Sequence, residues 1–304
     1  MDAFAPLEQN GKTWFQGFVG QRQGADEVAE LRKVIGRGRT AEILAWGDGR
    51  VLKLYVAESH RDYVRREATT SRRVHQLGLP APAVYDAETP DGLHEVDGRL
   101  GILYERIDGP TMMRDLGSRP WTFAAHSRKL ARLHAQIHAA PGEGLPLMRP
   151  RIERSIERAG GLVSPAALRA ARDRLSSLPD VRQVCHGDFH PDNVILGARG
   201  LAVVDWGPAS AGHPLADVAW TYLLYRFAGV PPGTPAWLRR VISLVRRGSL
   251  RVYLQTYFAQ TGSTWADLKP WLGVVAVLRL GDKIPEERDR LVRFIEREFR
   301  GHST

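Results

Sequence analysis

Apolar residues follow two rhythms along this chain, and the change from one to the other divides it. Up to about Asp108 they form short runs cut by turn residues. Ala41–Trp46 and Arg50–Val56 flank Gly47-Asp48-Gly49, while Leu93–Val96 and Leu100–Ile107 flank Asp97-Gly98, and both arrangements predict β-hairpins. Between the hairpins a helical pattern runs from about His60 to Leu77, stopped by Gly78, Pro80 and Pro82. From Gly109 the spacing turns helical: Leu130, Leu133, His134 and Ile137 recur at i, i+3, i+4 and i+7 within Trp121–Ala139. Further helices are expected over residues 151–159, 166–178, 215–227, 236–259, 265–280 and 286–300. A short β interlude, Val181–Cys185, Val194–Leu196 and Leu201–Asp205, interrupts them. The whole predicts an α+β chain with a small β-rich N-lobe, residues 1–107, and a larger helical C-lobe, residues 108–304, joined near Glu105–Gly109.

Composition narrows the setting more than the function. Of 304 residues 43% are hydrophobic and 25% charged, as in globular proteins that bury a sizeable core. The single cysteine, Cys185, excludes an internal disulfide framework and fits a reducing compartment. Met1–Gly20 carries Asp2 and Glu8 with no unbroken apolar core, so it does not read as a signal peptide. Trp220–Leu224 and Trp271–Leu278 are the most apolar stretches, and both are far shorter than a membrane span. A cytoplasmic location without membrane attachment is the expectation. The net charge of +9 comes from 37 arginines and only six lysines. No basic run is interleaved with aromatics, so a solvated surface explains the charge better than a nucleic-acid partner does.

The segment Val181–Val218 is densest in chemistry. It holds His186-Gly187-Asp188-Phe189-His190-Pro191-Asp192-Asn193 and then Val203-Val204-Asp205-Trp206-Gly207. Asp188 on a loop suits accepting or orienting the proton of an attacking hydroxyl. Asn193 and Asp205 offer one neutral and one charged oxygen, suitable for Mg²⁺ on a triphosphate. The same stretch admits a second reading, a metallohydrolase cluster of His186, Asp188 and His190 with Asp205 and His213. Upstream, Gly36-Arg37-Gly38-Arg39-Thr40-Ala41 precedes a strand, and Lys53 stands within Val51-Leu52-Lys53-Leu54-Tyr55. On a strand Lys53 shares a face with Val51 and Tyr55. Its compact ammonium suits phosphate oxygens, and Glu67 in the following helix is a candidate ion-pair partner. The plainer alternatives are a snorkelling lysine and a surface carboxylate beside Arg65 and Arg66.

Taken together, Gly36-x-Gly38, Lys53, Glu67, His186-Gly187-Asp188, Asn193 and Asp205 resemble the aminoglycoside phosphotransferase family, distant relatives of the protein kinases. The resemblance implies a bilobal protein-kinase-like fold and an enzyme that moves the γ-phosphoryl group of ATP or GTP, with Mg²⁺, to a hydroxyl of a small molecule. An antibiotic-modifying role is one expectation. Asp188 then looks like the catalytic base, Asn193 and Asp205 like the metal ligands, and Lys53 with Glu67 like the phosphate-binding pair. Glu105 and Ile107 would form the adenine hinge, and Ile43 and Val51 would roof the purine beside Gly36 and Gly38. His186 and Asp217 would support the catalytic loop, with His190 as scaffold. A nucleotide-binding pseudokinase or basic partner-binding module is the alternative, and a metal-dependent phosphohydrolase ranks last.

Two departures shape the expectation. Ala41 stands where protein kinases often carry a glycine. Only 11 residues separate Asp205 from Asp217, which leaves no room for an activation segment and peptide platform, so the acceptor should be small. A polycationic acceptor wants carboxylates, yet Asp267, Asp282, Glu286, Glu287 and Asp289 are few and interspersed with arginines. The helical stretch around Pro141–Pro179 is a further candidate for shaping the acceptor site. His134 and His138 have metal-ligand spacing but no third ligand near them in sequence, and Trp265 and Trp271 read as packing residues.

Overall fold

Asp48-Gly49 and Asp97-Gly98 close the two expected hairpins, each with both turn residues at positive φ (48° and 66°, 52° and 71°), the geometry of a type I′ turn. The computed structural model describes residues 33–300 apart from residues 39, 57–58, 88, 231–232 and 282–283. Met1–Gly20, Arg39 and Asp282 therefore lie outside the described residues. The chain forms two compact units, Met1–Thr122 with Pro191–Pro208, and Phe123–His190 with Ala209–Thr304.

The first unit is built on a six-stranded sheet. Its strands are β1 (Val34–Arg37), β2 (Ala41–Gly47), β3 (Arg50–Tyr55), β4 (Val84–Tyr85), β5 (His94–Val96) and β6 (Arg99–Glu105). They pair antiparallel in the order β1-β2-β3-β6-β4, with β5 also on β6. Strands β1 and β4 are too short to stand out as β pattern in the sequence. One face carries Tyr55 and Ile102 against Val64 and Ala68 of helix α1 (Arg61–Gln76). The other packs Leu52, Leu54 and Leu103 with Leu44 and Val96. Lys53 therefore points to the helix-covered face, where the residues of α1 turned inward are Val64, Glu67, Ala68, Ser71 and Val74. The short helix α2 (Met112–Ser118) follows, capped by Thr111, and the unit is completed by the hairpin of β8 (Val194–Gly197) and β9 (Gly200–Val203).

The second unit is helical. It contains α3 (Phe123–His138), α4 (Met148–Arg158), α5 (Pro165–Ser177), α6 (Pro214–Phe227), α7 (Ala236–Thr261), α8 (Trp265–Leu280) and α9 (Pro285–Glu298), with β7 (Gln183–Cys185) paired antiparallel to β10 (Ser210–Gly212). Helix α8 is its core: Trp271 through Leu280 are all buried. Trp271 belongs to that core, whereas Trp265 is 44% exposed and rests on Tyr222. Among the described residues no helix is long and apolar enough to cross a membrane.

Near the end of α8 a charge is buried. Arg279 is joined to Glu287 of α9 by two hydrogen bonds of 2.8 Å, and both residues are 3% exposed. Such a pair is costly to form but far more costly to break, because the partner left behind is charged and dry. Glu287→Gln should therefore lower the free energy of unfolding by about 3–5 kcal/mol. Urea denaturation measures it, and a change below about 1 kcal/mol would mean that water reaches the pair.

Candidate active site

In the first unit Lys53 lies 5% exposed between two carboxylates. Its Nζ is 2.5 Å from Glu67 Oε1 and 3.1 Å from Asp205 Oδ1. Burial alone would lower the lysine pKa, but Asp205 and Glu67 outweigh it and hold the ammonium well above its ordinary value. The Tyr104 hydroxyl donates to Glu67 Oε1 at 3.4 Å. Ile43, Val51 and Tyr104 form the apolar side of a cleft, and Lys53, Glu67 and Asp205 form its charged end.

Local backbone geometry explains how Asp205 arrives there. It lies two residues past the end of β9 and sits at φ 65°, a left-handed conformation uncommon outside glycine. The Val204 N–H donates to the Asn193 C=O at 3.0 Å, so Asn193 and the residue before Asp205 share one end of the β8–β9 hairpin. Two residues on, a Cβ on Gly207 would stand 2.6 Å from Glu67 Oε2, so only glycine lets that carboxylate pass. Glu105 also borders the cleft, while Ile107, Gly36 and Gly38 are not among its lining residues. Gly36 is buried inside β1 opposite Ile43, and the Gly38 N–H closes the following turn on the Ala41 C=O at 2.8 Å.

The second unit has its own buried carboxylate. Asp217 Oδ2 accepts from the His186 N–H at 2.5 Å and Oδ1 from the Gly187 N–H at 2.9 Å. His134 and His138 place their Nε2 atoms 3.1 and 3.3 Å from Oδ2, and their Nδ1 atoms meet the hydroxyls of Tyr253 and Tyr257 at 2.6 and 2.7 Å. Burial, reinforced by the neighbouring His138, lowers the His134 pKa to about 3. A neutral His134 donates from Nε2 and accepts from tyrosine at Nδ1, and the same tautomer serves His138. Burial alone would raise the Asp217 carboxyl, but the two histidines outweigh it and hold it well below its ordinary value.

Among the described residues, His134, His138 and Asp217 are the group of three whose ligand atoms converge closely enough for a metal ion. The third ligand missing from the sequence neighbourhood comes from α6. Each of their ring nitrogens already has a protein partner, so the hydrogen-bonded network is complete without an ion. The histidines of the alternative cluster are also occupied. His186 Nδ1 accepts the Asp188 N–H at 3.2 Å, and His213 caps α6 by accepting the Leu215 N–H at 3.1 Å. The Asp188 side chain accepts the indole N–H of Trp220 at 3.2 Å on Oδ1 and has His190 Nε2 3.5 Å from Oδ2. Tyr253, Tyr257, Tyr104 and Trp220 were not singled out from sequence. A trace of the first two was present, since Tyr-x-x-x-Tyr on α7 repeats the spacing of His-x-x-x-His on α3.

Residues 33–271 match a family described as the phosphotransferase enzyme family. The chain belongs to that family. Its α+β fold is the bilobal protein-kinase-like one, seen in a thermostable mutant of aminoglycoside phosphotransferase APH(4)-Ia in its apo form. That structure has a TM-score of 0.60 and 17% identity, with 89% of this chain and 94% of that one covered. A choline/ethanolamine kinase family protein from Mesorhizobium loti has a TM-score of 0.55 and 16% identity, with 88% and 87% covered. Among curated proteins, acyl-CoA dehydrogenase family member 11 from Homo sapiens is 26% identical over 185 residues, 53% of this chain. The match takes in only 23% of that relative's length.

Two measurements test this geometry. Gly207→Ala overpacks the site against Glu67 and should destabilise the protein by about 1–3 kcal/mol, read from denaturant midpoints at constant m-value. His134 is neutral in the folded protein and takes up a proton on unfolding between its ordinary pKa of about 6.5 and its folded value of about 3. Its contribution is fully present above about pH 6.5 and fades as the pH falls toward 3, at up to about 1.4 kcal/mol per pH unit. Unfolding free energies at pH 7.5, 6 and 5 should fall in that order, and a flat profile would mean that His134 is charged in the folded state.

Proposed function

We propose that this protein is a Mg²⁺-dependent phosphotransferase that moves the γ-phosphoryl group of ATP or GTP to a hydroxyl of a small molecule. The observation that carries this reading is the buried Lys53–Glu67–Asp205 cluster at the charged end of an apolar cleft. An apolar wall suits a base, and an aimed ammonium suits the phosphates behind it. The cluster gathers two carboxylates beside one ammonium in a largely buried setting. A divalent cation is the natural complement, and oxygen donors such as the Asp205 carboxylate and the Asn193 amide suit a hard ion like Mg²⁺. Bound there, it would neutralise charge on the phosphates.

The residues of the chain then have separate tasks. Lys53, aimed by Glu67, binds phosphate oxygens. Ile43 and Val51 cover the base, and Glu105 and Ile107 meet its edge through the backbone. Asp188 receives the acceptor's hydroxyl proton as the new O–P bond forms and the bond to the leaving diphosphate breaks. His186 and Asp217 hold the start of the loop that carries Asp188.

The charge of the helical unit bears on the acceptor. From Val218 to Ala266 the sequence has no acidic residue but has Arg226, Arg239, Arg240, Arg246, Arg247 and Arg251. A polycation is repelled by such a surface, so the acceptor is a neutral or anionic hydroxyl compound rather than an aminoglycoside. The test is Mg²⁺-dependent transfer from γ-labelled ATP and GTP to a panel of sugars, hydroxy acids, amino alcohols and aminoglycosides. Asp205→Ala should abolish transfer. Asp188→Asn should slow it by about 10²–10⁴-fold while nucleotide affinity stays near that of the parent. Transfer that survives Asp205→Ala would sink the metal assignment, and best turnover with an aminoglycoside would sink the charge argument.

A further inference from the structure

Trp220 is the residue whose chemistry the reading above leaves unused. It is a tryptophan in the second turn of α6, 4% exposed, in a helix that apart from Asp217 buries aliphatic and small side chains. Its indole N–H points to Asp188 Oδ1 at 3.2 Å. Behind it, the guanidinium carbon of Arg279 stands 5.2 Å from the ring centroid, and that of Arg151 on α4 stands 5.9 Å from it. Arg279 is fixed in turn by its two hydrogen bonds to Glu287. A relay of rigid groups thus runs from α9 through α8 and α6 to the proposed base.

We propose that Trp220 is a positioning residue for phosphoryl transfer. Its indole N–H holds Asp188 by Oδ1, which fixes the carboxylate's rotation and presents Oδ2 to the acceptor hydroxyl. This rests on the phosphotransfer reading and deepens it. The physical argument has three parts. An indole is a donor only, so it orients a carboxylate without competing for the proton that Asp188 must receive. A large flat ring packed on all sides cannot follow a rotating carboxylate, so one bond suffices to stop the rotation. Guanidinium groups over the ring face draw electron density from the indole and strengthen the N–H as a donor. His190, 3.5 Å from Oδ2, lies on the other side of the carboxylate, and the Asp188 backbone N–H is held by His186 Nδ1. The carboxylate is thereby defined at both oxygens.

Two readouts separate this role from mere packing. The first needs no turnover. In ¹⁵N-tryptophan NMR spectra the Trp220 indole signal, one of eight and assigned by triple resonance, should move upfield by several tenths of a ppm in Asp188→Ala. A signal that stays in place shows that the bond is absent and overturns the proposal. The second is a double-mutant cycle on kcat. Trp220→Phe should lower kcat about tenfold with the KM for ATP unchanged, because a hydrogen bond to a charged group is lost at one point. On the Asp188→Asn background the same substitution should change kcat less than about twofold, since the group it positions is already disabled. A repeated tenfold loss there, or an undiminished kcat in Trp220→Phe alone, overturns the proposal while leaving phosphotransfer intact. Wild-type protein that transfers to no acceptor overturns the phosphotransfer reading and this inference with it, even where the indole signal moves. Should Trp220→Phe fail to fold, the NMR comparison decides alone.

Discussion

A carboxylate without water must be given donors, and the helical unit is arranged around that demand at Asp217. Four groups converge on its two oxygens: the backbone N–H groups of His186 and Gly187 and the imidazoles of His134 and His138. Each imidazole then needs a donor for its other nitrogen, and Tyr253 and Tyr257 supply one apiece. This fixes more than a contact. Helices α3 and α7 must run in the same sense, so that a four-residue step along one meets a four-residue step along the other. The loop entering Asp188 must turn through Gly187 at φ 79° to offer two successive N–H groups to one acceptor. Removing any one member leaves a dry polar group behind, so the network holds all of its parts or costs the unit several of them.

The Lys53 cluster in the sheet unit obeys the same physics with a different outcome. There too a charge is buried and aimed by neighbours, with Tyr104 behind Glu67 as the tyrosines stand behind the histidines. Asp217 is closed, because the donors around it match what it can accept. Lys53, Glu67 and Asp205 bring two carboxylates to one ammonium at the border of a cleft. A network closed on itself is architecture; one that borders a cleft is where the proposed nucleotide and metal would be met. The left-handed turn at Asp205, φ 65° two residues beyond a strand, belongs to that cluster.

Much of this was legible in the sequence, for identifiable reasons. The hairpins could be read because Asp-Gly pairs enforce positive φ, and α1 because its inward positions recur every three or four residues. Lys53 and Glu67 could be read as a pair because a lysine amid apolar strand residues needs a counter-charge. Short strands escaped: β1, β4 and β10 have two to four residues, and their pairing is decided by neighbours rather than by their own pattern. The partners of the histidines escaped for a related reason. His134 meets Tyr253 across 119 positions, and periodicity within one helix says nothing about which other helix lies beside it. Trp265 packs on Tyr222 of α6 but stays 44% exposed, a degree of burial that its helical spacing does not reveal.

The division between what periodicity reveals and what it hides also separates donor chemistry from acceptor choice. Nucleotide and metal make the same demands in any phosphotransferase, so the residues that meet them recur at recognisable spacings and can be read one by one. An acceptor makes demands peculiar to itself, met by side chains from helices far apart in sequence, and no motif marks them. What survives in the sequence is their summed charge. Six arginines without an acidic residue across Val218–Ala266 are one such trace, and the proposed preference for a neutral or anionic acceptor rests on it. Under the proposed function, charge narrows the acceptor class before shape does, and it does so at a level of description that the sequence already provides.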